Sequence, residues 1–258
     1  MNDTTKHVMS KVPEVTLVFW IIKIAATTLG ETAGDTVTMS MGLGYLIGTA
    51  IFATLLVALV VVQIRAEKFH PVIYWATIVA STTAGTTLAD FADRSLGIGY
   101  LGGSTLLLIS VVLSLWFWHR SLGTISVNTV STPKAEAFYW LTITFSQTLG
   151  TALGDWMADD TGLGYGGGAL VFGAALAVVT FLYYRTKVSH VTLFWAAFIL
   201  TRPLGATVGD LLDKPLADGG LALSRPLASL VLTLFIIGCI WLLPQRAGSH
   251  PGAATEKS

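Results

Sequence analysis

Apolar residues occur in eight long stretches along this chain, separated by short polar or glycine-containing segments. Each stretch has roughly 20 residues, the length that an α-helix needs to cross a hydrocarbon layer of about 30 Å. Backbone that crosses lipid must satisfy its own hydrogen bonds, and these stretches are too long and too uniformly apolar for barrel strands. The pattern predicts an all-α integral membrane protein with eight transmembrane helices. They lie at about 15–35, 44–64, 72–91, 99–118, 136–156, 164–184, 190–211 and 221–243.

One sequence pattern occurs four times along the chain. In each copy an aromatic residue precedes a tryptophan, a glycine follows at +10, an aspartate at +15 and a second glycine at +24. The tryptophans are Trp20, Trp75, Trp140 and Trp195, with spacings of 55, 65 and 55 residues. Each copy holds two apolar stretches, so every copy enters and leaves the membrane on the same side. This predicts four parallel two-helix repeats, pseudo-symmetric about the membrane normal.

The repeats divide the chain without creating separate domains. We expect a single transmembrane domain over 1–258, with repeats at about 12–66, 67–122, 132–187 and 188–245. Residues 123–132 are polar and β-branched and lack helical periodicity, which predicts a cytoplasmic linker. The composition of residues 246–258 predicts a disordered tail.

Charge distribution predicts the orientation. The chain is 53% hydrophobic and 12% charged, and most of its lysines and arginines lie at the termini or between repeats. Only Arg94, Lys214 and Arg225 lie at the turns within repeats, where most of the acidic residues are found. The positive-inside rule therefore places both termini and the loops between repeats in the cytoplasm.

A ladder of polar residues follows one face of each odd-numbered helix. Counted from the tryptophan, positions +3, +7, +11 and +15 lie one turn above another. Charges at membrane depth usually face the bundle interior or a water-filled cavity. The predicted cation-binding residues are Glu31, Asp35, Asp90, Asp155 and Asp210. The predicted supporting polar residues are Thr27, Thr28, Thr82, Thr86, Gln147 and Thr151.

Lys23 and Arg202 are the basic members of this ladder, and we expect them to be buried counter-charges. An alternative role for Glu31 is a buried salt bridge with one of them that only fixes helix packing.

Small residues beside the ladder predict close helix packing. Glycines four residues apart allow helix backbones to approach closely in lipid. The glycines assigned to packing are Gly30, Gly34, Gly85, Gly150, Gly154, Gly205 and Gly209.

Two other motif positions have simpler interpretations. A tryptophan near a helix start most often belongs to the interfacial aromatic belt, and we expect this here rather than stacking on a substrate. The +24 glycines are expected to shape the tight outer turns.

These motifs resemble a bacterial family with four tandem copies of a two-helix repeat of unknown function, uncharacterised membrane-anchored proteins. The resemblance rests on the aromatic–tryptophan start, the TLGxxxGD core at 28–35 and 148–155, and the GxGY turn, and it covers 12–243. The second repeat departs from the core and the fourth lacks the tyrosine. The resemblance implies a multi-pass protein of the bacterial cytoplasmic membrane.

The residue inventory limits the chemistry. The five histidines lie at cytoplasmic edges or in the tail, and Cys239 is the single cysteine, so neither haem nor a thiolate site is expected. No catalytic or nucleotide-binding motif appears in a supporting context. We therefore expect no enzymatic activity and no cofactor. The ligands on offer are carboxylates, hydroxyls, an amide and carbonyls, which suit hard cations.

The sequence thus favours a proton-coupled secondary transporter for a hard metal cation such as manganese, magnesium or aluminium, with efflux as one direction. One alternative is a transporter of a small organic anion bound by Lys23 and Arg202; another is a structural or sensory membrane protein. The expected partners are the lipid bilayer and the transported ion or solute, with no nucleic acid. The sequence determines neither the direction nor the oligomeric state.

Overall fold

The computed structural model describes residues 9–248, and eight long helices account for most of them. The all-α, eight-helix part of the prediction is confirmed. Residues 1–8 and 249–258, which include most of the predicted disordered tail, lie outside the described residues. The helices are α1 (Leu17–Asp35), α2 (Gly44–Arg65), α3 (Pro71–Asp90), α4 (Tyr100–Leu122), α5 (Pro133–Asp155), α6 (Gly164–Arg185), α7 (His190–Asp213) and α8 (Arg225–Leu242).

Local sequence explains where several helices begin. The hydroxyls of Thr16 and Thr132 accept hydrogen bonds from the backbone N–H groups of Phe19 and Ala135, which caps α1 and α5. Proline stands in the first turn of α3, α5 and α8. The four +24 glycines have φ between 64° and 83°, a left-handed conformation that favours glycine. They lie at the turns within the repeats, as expected.

The outer end of the odd-numbered helices differs between repeats. In the first three repeats the motif aspartate is followed directly by a π-helical turn: Thr36–Ser40, Phe91–Ser95 and Trp156–Asp160. α7 instead continues to Asp213, and a short 3₁₀ turn follows at Leu216–Asp218. The fourth repeat therefore has its own connection, and this connection carries Lys214.

The four odd-numbered helices form a closed ring. α1 packs against α3 and α7, and α5 packs against the other faces of α3 and α7. Each even-numbered helix lies outside this ring, on the odd helix of the following repeat: α2 on α3, α4 on α5, α6 on α7, and α8 on α1. The odd-numbered helices therefore lie inside and the even-numbered helices outside.

Hydropathy follows this division. Six helices are long and apolar enough to cross a membrane, with α1 counted together with its π-helical turn; α3 and α5 are not among them. Both are rich in polar residues, but nearly all of these are buried inside the ring. Because neighbouring helices surround them, α3 and α5 do not need to be apolar on every face. That all eight helices cross a membrane stays a prediction.

The motif tryptophans do not form an interfacial belt, so that prediction is wrong. Trp75, Trp140 and Trp195 are at most 3% exposed, and Trp20 is half-buried. The aromatic residue before each tryptophan contacts the tryptophan of the next repeat, and the fourth repeat contacts the first. The ring centroids are 5.5 Å apart for Phe19–Trp75, 5.7 Å for Tyr74–Trp140, 6.3 Å for Tyr139–Trp195 and 5.7 Å for Phe194–Trp20. Together these eight side chains form a closed layer, here called the aromatic layer, across the end of the bundle nearest the chain termini.

We call this end of the bundle the terminal end. The connections between helices at the terminal end pack over the aromatic layer. The backbone N–H of Lys11 donates to Val130 in the linker, and that of Gly248 donates to Val12, both at 2.8 Å. The Lys11 ammonium lies 2.6 Å from Glu136 at the start of α5. The N-terminal segment, the linker and the residues after α8 therefore form one layer.

Candidate functional site

The +10 glycines explain how the ring closes around a polar centre. A Cβ added to any of them would collide with the +7 residue of the next repeat. The pairs are Gly30 with Thr82, Gly85 with Gln147, Gly150 with Arg202, and Gly205 with Thr27. Each +7 residue thus lies against a glycine of the neighbouring helix. We call these four residues, Thr27, Thr82, Gln147 and Arg202, the +7 level of the ring.

The +14 positions repeat this arrangement one turn further along. A Cβ on Gly34 would lie 3.1 Å from the Thr86 methyl, one on Gly154 3.0 Å from Ala206, and one on Gly209 2.7 Å from Glu31. These partners are +11 residues of the next repeat. We call Glu31, Thr86, Thr151 and Ala206 the +11 level, and the four motif aspartates the +15 level. The predicted role of the glycines in close packing is what the structure shows.

Arg202 is the central side chain of the site. Its Nη2 lies 2.9 Å from Glu31 Oε2 on α1 and 2.6 Å from Thr86 Oγ1 on α3, and it also donates to Thr151 Oγ1 on α5. These three partners belong to three different helices of the ring, so the guanidinium lies near the ring axis. The side chain is fully buried. Arg202 is therefore a buried counter-charge for Glu31, as expected.

The four motif aspartates do not converge on one partner. Lys214 Nζ lies 2.6 Å from Asp35 Oδ2 and 2.9 Å from Asp210 Oδ1. Arg94 contacts the other two, with Nε 2.8 Å from Asp90 Oδ1 and Nη2 3.4 Å from Asp155 Oδ2. The four predicted cation-binding aspartates thus form two pairs, each bridged by one basic side chain.

Lys214 stays charged at this position. Burial lowers the pKa of its ammonium, but the carboxylates of Asp210 and Asp35 raise that pKa by more, so the net pKa is above the usual lysine value. A protonated amine thus occupies the space between two buried carboxylates.

Three carboxylates from two levels come close enough to share an ion. Glu31, Asp35 and Asp210 each offer an oxygen, and these oxygens lie within 4.8 Å of one another. All three residues are at most 2% exposed. Metal–oxygen bonds to hard divalent cations are about 2.0–2.6 Å, so these three oxygens could supply part of such an ion's oxygen shell once the Lys214 ammonium had moved from between Asp35 and Asp210.

Some predicted site residues take other roles. The Lys23 ammonium lies 3.4 Å from the Thr201 hydroxyl and 4.2 Å from the centre of the Phe198 ring, with no carboxylate within 4.0 Å among the described residues. It is therefore not a direct counter-charge for Glu31. The Thr28 hydroxyl donates to Ile24 O in its own helix, and Thr27 also bonds to Thr201 O on α7. Thr82 and Gln147 belong to the +7 level, but the Thr82 hydroxyl and the Gln147 side-chain amide have no hydrogen-bond partner among residues 9–248.

Three basic residues that contact the motif aspartates did not enter the predicted site: Arg94, Lys214 and Arg225. Arg225 Nε lies 3.1 Å from Asp213 Oδ2 and 3.8 Å from Asp35 Oδ2. The sequence did contain a signal, since these are the only basic residues at the turns within repeats. Long basic side chains that lie next to four aspartates are candidates to neutralise them.

Comparison with known proteins identifies the family. The family described as Repeat of Unknown Function (DUF347) matches four segments, 18–69, 73–124, 138–189 and 193–247. The chain belongs to this family, which confirms the resemblance drawn from its motifs. Neither a search of curated proteins nor a search of solved structures gave a match.

Proposed function

We propose that this protein is a secondary transporter for a hard divalent cation, with Glu31, Asp35 and Asp210 as the binding residues. The observation that carries the proposal is the close approach of these three buried carboxylates. Carboxylate oxygens are preferred ligands of Mn²⁺ and Mg²⁺. No enzymatic step and no cofactor form part of the proposal.

The charge balance of the centre supports a cation. Six carboxylates, Glu31, Asp213 and the four motif aspartates, contact four basic side chains, Arg202, Lys214, Arg94 and Arg225. Two formal negative charges remain, and like charges in a buried site repel one another strongly. One divalent cation or two protons would neutralise them. Exchange between these two occupants would couple cation movement to protons.

The proposal includes an orientation. The eight helices would cross the bacterial cytoplasmic membrane with both termini and the loops between repeats in the cytoplasm. The repeats would be related by an axis along the membrane normal, an arrangement found in transporters with sites at the repeat interface. The carboxylate site would then open towards the outer face.

The test is Mn²⁺ flux into liposomes that contain the purified protein. Glu31→Gln keeps the size and hydrogen-bonding capacity of the side chain and removes its charge. We expect wild-type protein to show pH-dependent Mn²⁺ flux and Glu31→Gln to lose at least nine-tenths of it, roughly the tenfold effect of 1.4 kcal/mol. Asp218→Asn is the control, because Asp218 is an exposed acid in the connection after α7.

Glu31→Gln also removes the charge partner of Arg202, and breaking a buried pair costs about 3–5 kcal/mol. Asp35→Asn is therefore a second variant, since Lys214 would keep its contact with Asp210. Wild-type protein without Mn²⁺, Mg²⁺ or proton flux, or folded variants of Glu31 and Asp35 that both transport normally, would overturn the proposal.

A further inference from the structure

The +7 level contains a group of buried polar atoms that have no hydrogen-bond partner. They are Thr82 Oγ1, both amide atoms of Gln147, and Nε and Nη1 of Arg202. All three residues are fully buried, and they lie on α3, α5 and α7. More than nine-tenths of buried polar groups in proteins are hydrogen-bonded, so three neighbouring exceptions are unusual.

The repeat geometry places these three residues at one level of the ring. Thr82 packs on Gly30, Gln147 on Gly85 and Arg202 on Gly150, each in the equivalent position of successive repeats. The fourth member of the level, Thr27, is satisfied, because its hydroxyl lies 2.8 Å from Ile24 O and 3.2 Å from Thr201 O. The unpaired atoms therefore belong to the other three helices of the ring.

Donors predominate in this group. Arginine and the glutamine amino group supply only N–H donors, the threonine hydroxyl can donate, and one glutamine oxygen accepts. A ligand that satisfied them would have to offer mainly acceptor atoms. Burial without a partner forfeits the hydrogen bonds that such donors would make with water, so a ligand that accepts from them would be stabilised.

The local charge points to the same class of ligand. Lys23 lies one turn from the +7 level towards the terminal end, and Glu31 lies one turn away in the opposite direction. The four side chains of the +7 level, Thr27, Thr82, Gln147 and Arg202, include one cationic group and no carboxylate.

We propose that the +7 level is a second binding site, for a compact monovalent anion that accepts hydrogen bonds from Arg202, Gln147 and Thr82. A halide and a small carboxylate share this chemistry. The site is distinct from the carboxylate site, because Arg202 contacts Glu31 through Nη2 and leaves Nε and Nη1 for the anion. One guanidinium would then separate a bound cation from a bound anion.

The test measures equilibrium binding of radiolabelled chloride and radiolabelled formate to the purified full-length protein in detergent, with gluconate as the background anion. The key variant is Thr82→Val, which keeps the shape of the side chain and removes its hydroxyl. Thr83→Val is the matched control, because Thr83 is also buried but its hydroxyl donates to Val79 O in its own helix. We expect about tenfold weaker binding in Thr82→Val and in Gln147→Leu, and unchanged binding in Thr83→Val.

Comparison of the two labelled anions identifies the chemical class of the ligand. Saturable binding of chloride alone would assign the site to halides, and binding of formate alone would assign it to carboxylates. Wild-type protein that binds neither anion would show that the level holds water only, and the proposal would fail. Equal losses in Thr82→Val and Thr83→Val would also overturn it, since the effect would then come from helix packing.

Discussion

Lys214 holds the position between Asp35 and Asp210 where part of a cation's ligand shell would form. Its ammonium contacts both carboxylates at hydrogen-bonding distance. A metal ion could not bind there until this side chain moved away. Lys214 follows the last residue of α7 and precedes the irregular turn of the fourth repeat, so it is attached to the least regular of the outer connections. At the residue scale, we expect the Lys214 ammonium to compete with the proposed metal cation for Asp35 and Asp210.

This leads to a prediction for Lys214→Met. Removal of the ammonium leaves Asp35 and Asp210 without their shared cation, so Mn²⁺ should bind about tenfold more tightly, equivalent to roughly 1.4 kcal/mol. The protein without Mn²⁺ should also unfold at a lower temperature, because the two carboxylates then repel each other. Calorimetric titration and thermal unfolding in detergent measure both effects. Arg65→Met, an exposed change at the terminal end, is the control; equal Mn²⁺ affinity in both variants would contradict the competitor role.

At the scale of elements, glycine stands at seven of the eight +10 and +14 positions, past which the ladder residues of the next repeat run, and alanine stands at the eighth, Ala89. The +10 and +14 glycines face the side chains that fill the ring, whereas Gly173 in α6 has no neighbouring atom within 4 Å of an added Cβ. Glycine therefore permits close helix contact in the inner helices, whereas Gly173 in an outer helix makes no such contact. Only the inner glycines determine how closely the odd helices approach.

The prediction compares Gly150→Ala with Gly173→Ala. A methyl group at Gly150 would overlap the Arg202 side chain, so α5 and α7 would have to move apart and the central hydrogen bonds of Arg202 would weaken. We expect Gly150→Ala to lower stability by about 1–3 kcal/mol, the usual cost of overpacking. Gly173→Ala should raise it by up to about 1 kcal/mol, because alanine is the better helix former. Thermal unfolding of both variants measures the difference in stability. Similar unfolding midpoints would mean that the ring tolerates a wider spacing between α5 and α7.

At the scale of the whole molecule, the axis of the ring is closed at both ends. The aromatic layer closes the terminal end, and the ion pairs of Lys214 and Arg94 lie across the opposite end. A transport cycle would have to open these two ends in turn. The two closures differ in chemistry, since one is held by aromatic packing and the other by charges that protons or a cation can alter.

The orientation itself can be tested with single cysteines in a Cys239→Ala background. Asp218→Cys lies at the end with the turns within repeats, and Lys187→Cys lies between the third and fourth repeats; both positions are exposed. A membrane-impermeant thiol reagent should label Asp218→Cys in intact cells and Lys187→Cys only after permeabilisation. The reverse pattern would show that the termini face outwards.

Much of this architecture can be predicted from the sequence because it depends on local periodicity. The 3.6-residue helix period places Thr27, Glu31 and Asp35 on one face, and the shared spacing of four repeats places equivalent residues at equivalent depths. Gly30 and Gly34 adjoin that face, so close approach of the ladder helices follows as well. These inferences needed only the distance between residues along one helix.

The tertiary structure alone decided which side chains meet across the ring. Arg202 pairs with Glu31 and Lys214 with Asp35, across 171 and 179 residues. Helix periodicity specifies a face but not the neighbour that covers it, and long basic side chains can reach several carboxylates. For the same reason the motif tryptophans, which their position near helix starts placed at a lipid interface, are buried, because they pack against aromatic residues of the preceding repeat. The ring, not the single helix, determines the partners of each charge.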